Sequence, residues 1–146
     1  RDISRHPDIK PLFMDYRKEG IRYYKKTKVY PPQHVTIVRE SIIKEHPWVA
    51  TSLLKAFEQA KTMCLEQLYQ SYMDGPPSML IFGRSDLREQ RRVFGDDPYI
   101  YGIKANAKAI DMVQNFSVEQ GLTHDKQQWG KLFPEEIMLA EEKLHY

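Results

Sequence analysis

Four side chains in this sequence have the types and neighbours to do acid–base or anion chemistry: His34, Arg22, Tyr99 and Tyr101. His34 follows a rigid Tyr30-Pro31-Pro32 corner and precedes the β-branched run Val35-Thr36-Ile37-Val38. Ligands in open α/β folds gather at strand ends, where the chain changes direction. An imidazole there suits a hydrogen-bond donor or a general acid near neutral pH, and equally a residue that only bonds loop carbonyls. Arg22, with Tyr23 and Tyr24 after it, has the donors to hold a carboxylate bidentately; a surface arginine on a basic helix is the commoner meaning. Tyr99 and Tyr101 lie in Pro98-Tyr99-Ile100-Tyr101-Gly102, a turn into a helix. They offer hydroxyls and flat rings beside unpaired helix N–H groups that favour an anion. More often such tyrosines pack the corner with their hydroxyls in water.

Other chemistry finds no template. HExxH, CxxC and a phosphate-binding glycine loop are absent. The histidines at 6, 34, 46, 124 and 145 have no metal-ligand spacing, so no metal site is expected. His46, beside Pro47, reads as a helix-start residue. Cys64 is the only cysteine, which excludes an intramolecular disulfide. It falls on an apolar helix stripe, where buried, inert packing is expected.

The elements that must position these residues follow from periodicity and punctuation. Pro7 and Pro11 break residues 1–11 into a loop. Tyr16 to Lys26 reads as a helix, with Leu12, Tyr16, Tyr23 and Tyr24 near one face and Gly20 as its weak point. The prolines force Val29 to Pro32 into extended backbone. Val35 to Val38 then reads as a strand, apolar on both faces apart from Thr36, which fits a buried central position. Pro47 starts a long amphipathic helix carrying Val49, Leu53, Ala56, Phe57, Ala60, Cys64, Leu68 and Tyr72. Asp74-Gly75-Pro76-Pro77 stops it. Met79 to Phe82 is ambiguous between strand and loop. Asp86 and Glu89 resemble a capping box opening an arginine-rich helix that Gly95 ends. A further long helix buries Ile103, Ala107, Ile110, Val113 and Phe116, with Gly121 as its left-handed terminator. Pro134 starts a last helix with Ile137, Leu139 and Leu144. The expected fold class is α/β, mostly helical, with one main strand.

A single strand cannot form a sheet, because its backbone donors and acceptors need a neighbour. The chain also starts at Arg1 rather than Met. Both point to the C-terminal portion of a longer polypeptide. The length of 146 residues suits one domain. Hydrophobic residues at 41% and charged residues at 29% are ordinary for a soluble protein. A net charge of +2 gives no general attraction for nucleic acid. No apolar run approaches the roughly 20 residues that span a bilayer. With no disulfide to form, a cytoplasmic location is expected. Charge is uneven: Arg17, Lys18, Arg22, Lys25, Lys26 and Lys28 face only Glu19, Arg84 to Arg92 hold four arginines, and Glu135 to Glu142 is acidic. Such runs are usually solvated helix faces; the functional alternative is a rim that draws an anion inward.

An ordered set of blocks resembles the 4,5-dihydroxyphthalate decarboxylase family. It comprises Leu12-Phe13, Tyr23-Tyr24, Thr27, Tyr30-Pro31 with His34, Val35 to Val38, His46-Pro47-Trp48-Val49-Ala50 and Ala56-Phe57. Later come Gly95 to Gly102, Asn106, Glu119 to Leu122, and Leu132-Phe133. The acidic extension from Glu135 onward departs from the pattern. The resemblance implies a type II periplasmic-binding-protein-like fold, two α/β lobes around a cleft, with this chain as its C-terminal portion. Within it, 1–33 would be a crossover segment, 34–133 the strand and packing helices, and 134–146 the C-terminal helix. Members resemble cofactor-independent aromatic acid decarboxylases or transporter solute-binding proteins, which would be periplasmic. The implied partner is a small anionic aromatic substrate, with no cofactor, no metal, no nucleic acid and no membrane span. The rest of the polypeptide would be required, and a homo-oligomer is compatible. On that reading, residue type suggests His34 as acid or hydroxyl partner, Arg22 as carboxylate clamp, and Tyr99 and Tyr101 as cleft wall.

Overall fold

The computed structural model describes residues 6–74 and 79–141. These form seven helices: α1 (Tyr16–Thr27), α2 (Glu40–Glu45), α3 (Trp48–Asp74), α4 (Gly83–Phe94), α5 (Ala107–Glu119), α6 (Trp129–Leu132) and α7 (Glu135–Glu141). The Gly75-Pro76-Pro77 stop and Leu144 lie outside the described residues.

Local chemistry accounts for the helix ends. Asp15 caps α1 by accepting from the Lys18 N–H at 2.9 Å, and Lys28 closes it in the left-handed region at φ 57°. α3 begins one residue after Pro47, as a proline-started helix should. α5 ends in a Schellman motif: the Gly121 N–H donates to Val118 O and the Leu122 N–H to Ser117 O, with Gly121 at φ 69°. The short α2 and α6 were not anticipated. Neither has the length to display a clear period.

Besides the buried stripe expected of α5, where Ile103 precedes the helix and Val113 and Phe116 are exposed, three expectations are corrected. The described residues are mostly helical, as expected, but contain no strand, so the one main strand at Val35–Val38, and with it an α/β class within this chain, is not found. Residues 28–39 are non-helical, and Val35 and Ile37 are 73% and 88% exposed. β-branched residues after two prolines keep the backbone out of the helix, but a ladder needs a second strand, and these residues supply none. Secondly, Cys64 is exposed, because little covers the apolar stripe of α3 at that level. Thirdly, Asp86 and Glu89 do not open α4. The helix starts at Gly83, and both carboxylates meet Arg17 of α1.

Packing is sparse. α2 and α7 lie against α3, and α1 lies against α4. The buried apolar side chains among the described residues are Val29, Ala50, Leu87 and Ile103. The accessible surface is 12196 Å². A compact monomer of this mass would show about 7,800 Å². The helices therefore do not close a core of their own. Leu12, Met14, Trp48, Met79, Leu80, Ile81 and Phe82 all face outward.

Candidate active site

The best-ordered chemistry converges on residues 96–106, the connection between α4 and α5. α3 supplies the first anchor. Lys61, whose side chain is only 8% exposed, places Nζ 2.5 Å from Asp97 Oδ2 and 2.9 Å from Glu58 Oε1. The same ammonium reaches the Tyr99 carbonyl at 3.3 Å and lies 4.8 Å from the centre of the Tyr101 ring. Burial pulls the Lys61 pKa down, but its hydrogen bonds to Asp97 and Glu58 and their charges outweigh it, leaving the group raised above an ordinary lysine. Asp97 also accepts from the Tyr99 N–H at 2.9 Å, which fixes the turn that carries the ring.

A second anchor lies about two turns further along α3. The Tyr69 hydroxyl donates to the Asp96 carbonyl. The Arg91 guanidinium stacks 4.3 Å from the Tyr69 ring centre and donates to the Asp96 carboxylate at 2.7 Å. Burial raises the Tyr69 pKa, and the nearby Arg91 charge offsets part of that rise.

From the other side, aromatic rings form a continuous line. Tyr24 meets Phe94 at 4.7 Å between centroids, Phe94 meets Tyr30 at 5.7 Å, and Tyr30 meets Tyr99 at 5.4 Å edge to face. Burial first, and then hydrogen bonding with the Tyr30 hydroxyl, push the Tyr99 pKa up, so its phenol stays protonated well into the alkaline range. This line separates two hollows. One, of about 330 Å³ and largely apolar, is lined by Tyr16, Arg17, Ile21, Tyr30, Phe94 and Tyr99. The other, of about 120 Å³ and more polar, lies toward Lys28, Asp97, Asn106 and Lys108. The larger hollow has the low end of the size that accepts a small ligand ring.

The sequence-derived candidates divide. Tyr99 stands in the wall of the apolar hollow. Tyr101 lies on the same loop over Lys61, with its ring 6.5 Å from that of Phe57. Arg22 lies on α1 but lines neither hollow; Glu19 holds its guanidinium through two bonds of 2.6 and 2.7 Å. That hydrogen-bonded pairing draws Glu19 below the usual carboxylate range and raises Arg22. The cation that does line the hollow is Arg17, bonded to Asp86 at 2.9 Å and to Glu89. These pairings neutralise part of the basic run on α1. His34 is exposed on the non-helical 28–39 segment and makes no hydrogen bond or ring contact with a described residue. No group of three or more His, Cys, Asp or Glu among the described residues is placed to hold a metal. None of their helices is long and apolar enough to cross a membrane.

No family model matches the chain. Over 128 residues it is 34% identical to 4,5-dihydroxyphthalate decarboxylase of Comamonas testosteroni. The chain is related to the 4,5-dihydroxyphthalate decarboxylase family. The match covers 88% of this chain and 38% of that relative, so the chain spans little over a third of the relative's length. The resemblance carried by the 12–57 and 95–133 blocks is thus supported along most of the sequence.

Sequence reasoning passed over Lys61 and Tyr30. Lys61 had a signal, since it interrupts the apolar stripe of α3 four residues after Phe57. The Tyr30 pairing with Tyr99 had none, because it joins segments 69 residues apart.

Proposed function

We propose that this chain acts, with polypeptide equivalent to the rest of its relative, as a cofactor-independent decarboxylase of an aromatic dicarboxylic acid such as 4,5-dihydroxyphthalate. The match along 88% of the chain carries this reading. Aromatic residues around the larger hollow and a protonated Tyr99 phenol are consistent with a ring bearing hydroxyl groups. We further propose that the complete polypeptide adopts the two-lobed binding-protein-like fold, with 31–38 and 79–82 covered by the lobes this chain does not supply.

The chemistry sets clear demands. The bond between ring carbon and carboxylate breaks, CO₂ leaves, and the electron pair remains on the ring carbon, which must gain a proton. A ring hydroxyl para to the leaving carboxylate donates electron density to that carbon, easing protonation there. In this proposal His34 delivers the proton or bonds a ring hydroxyl. Tyr99 and Tyr101 wall the ring, with the Tyr99 phenol as a hydrogen-bond donor. Arg22 holds a carboxylate after exchanging Glu19 for it. No metal or cofactor enters these steps.

The test is incubation of the polypeptide at the relative's full length with 4,5-dihydroxyphthalate. Release of one CO₂ per substrate consumed is the expected result. Saturable binding with the ligand recovered unchanged would replace this reading with the solute-binding alternative.

A further inference from the structure

Among the described residues, one charged side chain is fully withdrawn from water: Glu141, at 3% exposure, on the last turn of α7. Among the described residues no cation forms an ion pair with its carboxylate. It accepts instead from three successive backbone N–H groups. Oε2 takes those of Ile103 at 2.8 Å and Lys104 at 3.0 Å, and Oε1 takes that of Ala105 at 2.8 Å. Successive N–H groups converging on one anion form a concave nest, and a carboxylate there is stabilised without a counter-charge.

The loop is shaped around that carboxylate. Gly102 sits at φ 122°, and a Cβ at that position would overlap the Glu141 carboxyl group. Any other residue would both strain the backbone and evict the anion. Asn106 ties the loop from within, donating through Nδ2 to Ile100 O and Gly102 O at 2.8 Å each. The donors lie 36 to 38 residues before Glu141, so the bonds join two distant elements. α7 itself rests on α3, the helix whose Lys61 holds the other end of the same loop. Residues 97–106 are therefore gripped twice: through Asp97 and Tyr99 by Lys61, and through Ile103 to Ala105 by Glu141.

We propose that α7 is a latch, with Glu141 as a positioning residue that holds the 98–106 loop in the form that presents Tyr99 and Tyr101. The consequence for ligand binding rests on the proposed role of those tyrosines; the latch itself does not. Removing the carboxylate leaves three backbone donors, that of Ile103 buried and those of Lys104 and Ala105 half-buried, without their acceptor, so the loop opens locally to hydrate them. An added small carboxylate of the right shape refills the nest.

Amide hydrogen exchange on this chain tests the latch directly. In Glu141→Ala the amides of Ile103, Lys104 and Ala105 should exchange at least about tenfold faster, while those of Val113 to Phe116 in α5 stay as they are. Acetate should restore protection at the three amides in a concentration-dependent way. Gly102→Ala, which keeps Glu141 but blocks its seat, should expose the same three amides and resist acetate rescue. Glu141→Gln, which keeps shape and one acceptor oxygen, should fall between wild type and Glu141→Ala. Unchanged exchange at the three amides in Glu141→Ala would overturn the latch. So would a uniform acceleration through α5 that acetate fails to reverse. Failure of the wild-type polypeptide to bind any aromatic acid, with exchange behaving as stated, would refute the role of the tyrosines and leave the latch standing.

Discussion

Lys61 Nζ lies 2.5 Å from Asp97 Oδ2, joining the middle of the longest helix to the turn that carries Tyr99. Glu58, one turn earlier on α3, adds a second carboxylate at 2.9 Å, and the Tyr101 ring covers the ammonium. One cation thus bridges two carboxylates and seats one aromatic ring. Its position explains how two tyrosines on an irregular segment acquire fixed places.

Replacing Lys61 by methionine keeps the volume and removes the charge. Glu58 and Asp97 are then left facing each other without their shared donor. The Oε2 atom of Glu58 is already buried with no hydrogen-bond partner. Asp97 keeps a third of its side-chain surface in water, which limits the penalty. A loss of about 1–3 kcal/mol is expected, read as a lower urea midpoint at unchanged slope. An unaltered midpoint would mean that the pairing ties nothing together.

The same lysine sets a pH dependence. Its pKa is raised in the fold, so the folded state holds the proton more tightly than the unfolded state does. Stability from this source is complete below the ordinary lysine value of about 10.4 and is lost as pH rises through the folded value. Tyr99, also raised, acts in the same direction. Thermal unfolding should therefore weaken in the alkaline range more steeply for the wild type than for Lys61→Met. Parallel curves for the two would contradict the assignment.

Tyr30→Phe removes a hydroxyl while leaving the edge-to-face contact with Tyr99 and the ring contact with Phe94. The Tyr99 phenol then loses its neighbouring hydroxyl and titrates closer to a free tyrosine. Tyrosinate absorbance against pH should show one phenol moving down. A titration curve superimposable on that of the wild type would exclude the pairing.

His34 separates function from folding. It is exposed and bonds no described residue, so His34→Ala should leave the unfolding midpoint of this chain unchanged to within about 0.5 kcal/mol. In the polypeptide at the relative's full length the same change should cut decarboxylation by about 10²–10⁴-fold. Turnover equal to the wild type would remove His34 from the proposed chemistry.

The helices α1, α3, α5 and α7 were legible because each carries a local signal. Pro47 and Pro134 mark starts, the three- and four-residue spacing marks the body of α3, and Gly121 marks a stop. The 35–38 segment was misread for a physical reason. β-branched residues set only a local preference for extended backbone, whereas a strand exists only when another strand bonds to it. Cys64 failed similarly, since an apolar stripe predicts burial only where something covers it. In the site, the 98–102 turn and its two tyrosines could be found from residue type. Arg17 could not be told from Arg22, because the acids that claim each one come from α4 in one case and from α1 in the other. Glu141 looked like one more charge in an acidic tail. Only tertiary structure shows its carboxylate turned inward onto backbone amides.

The bare 31–37 stretch carries a liability. Non-helical backbone with outward Val35 and Ile37 side chains is a seed for neighbouring copies to stack upon. Pro31 and Pro32 blunt one end, as gatekeepers commonly do, but nothing comparable guards the Val35–Val38 side. Recovery of this chain made alone should consequently fall as its concentration rises, and a lysine in place of Ile37 should raise it.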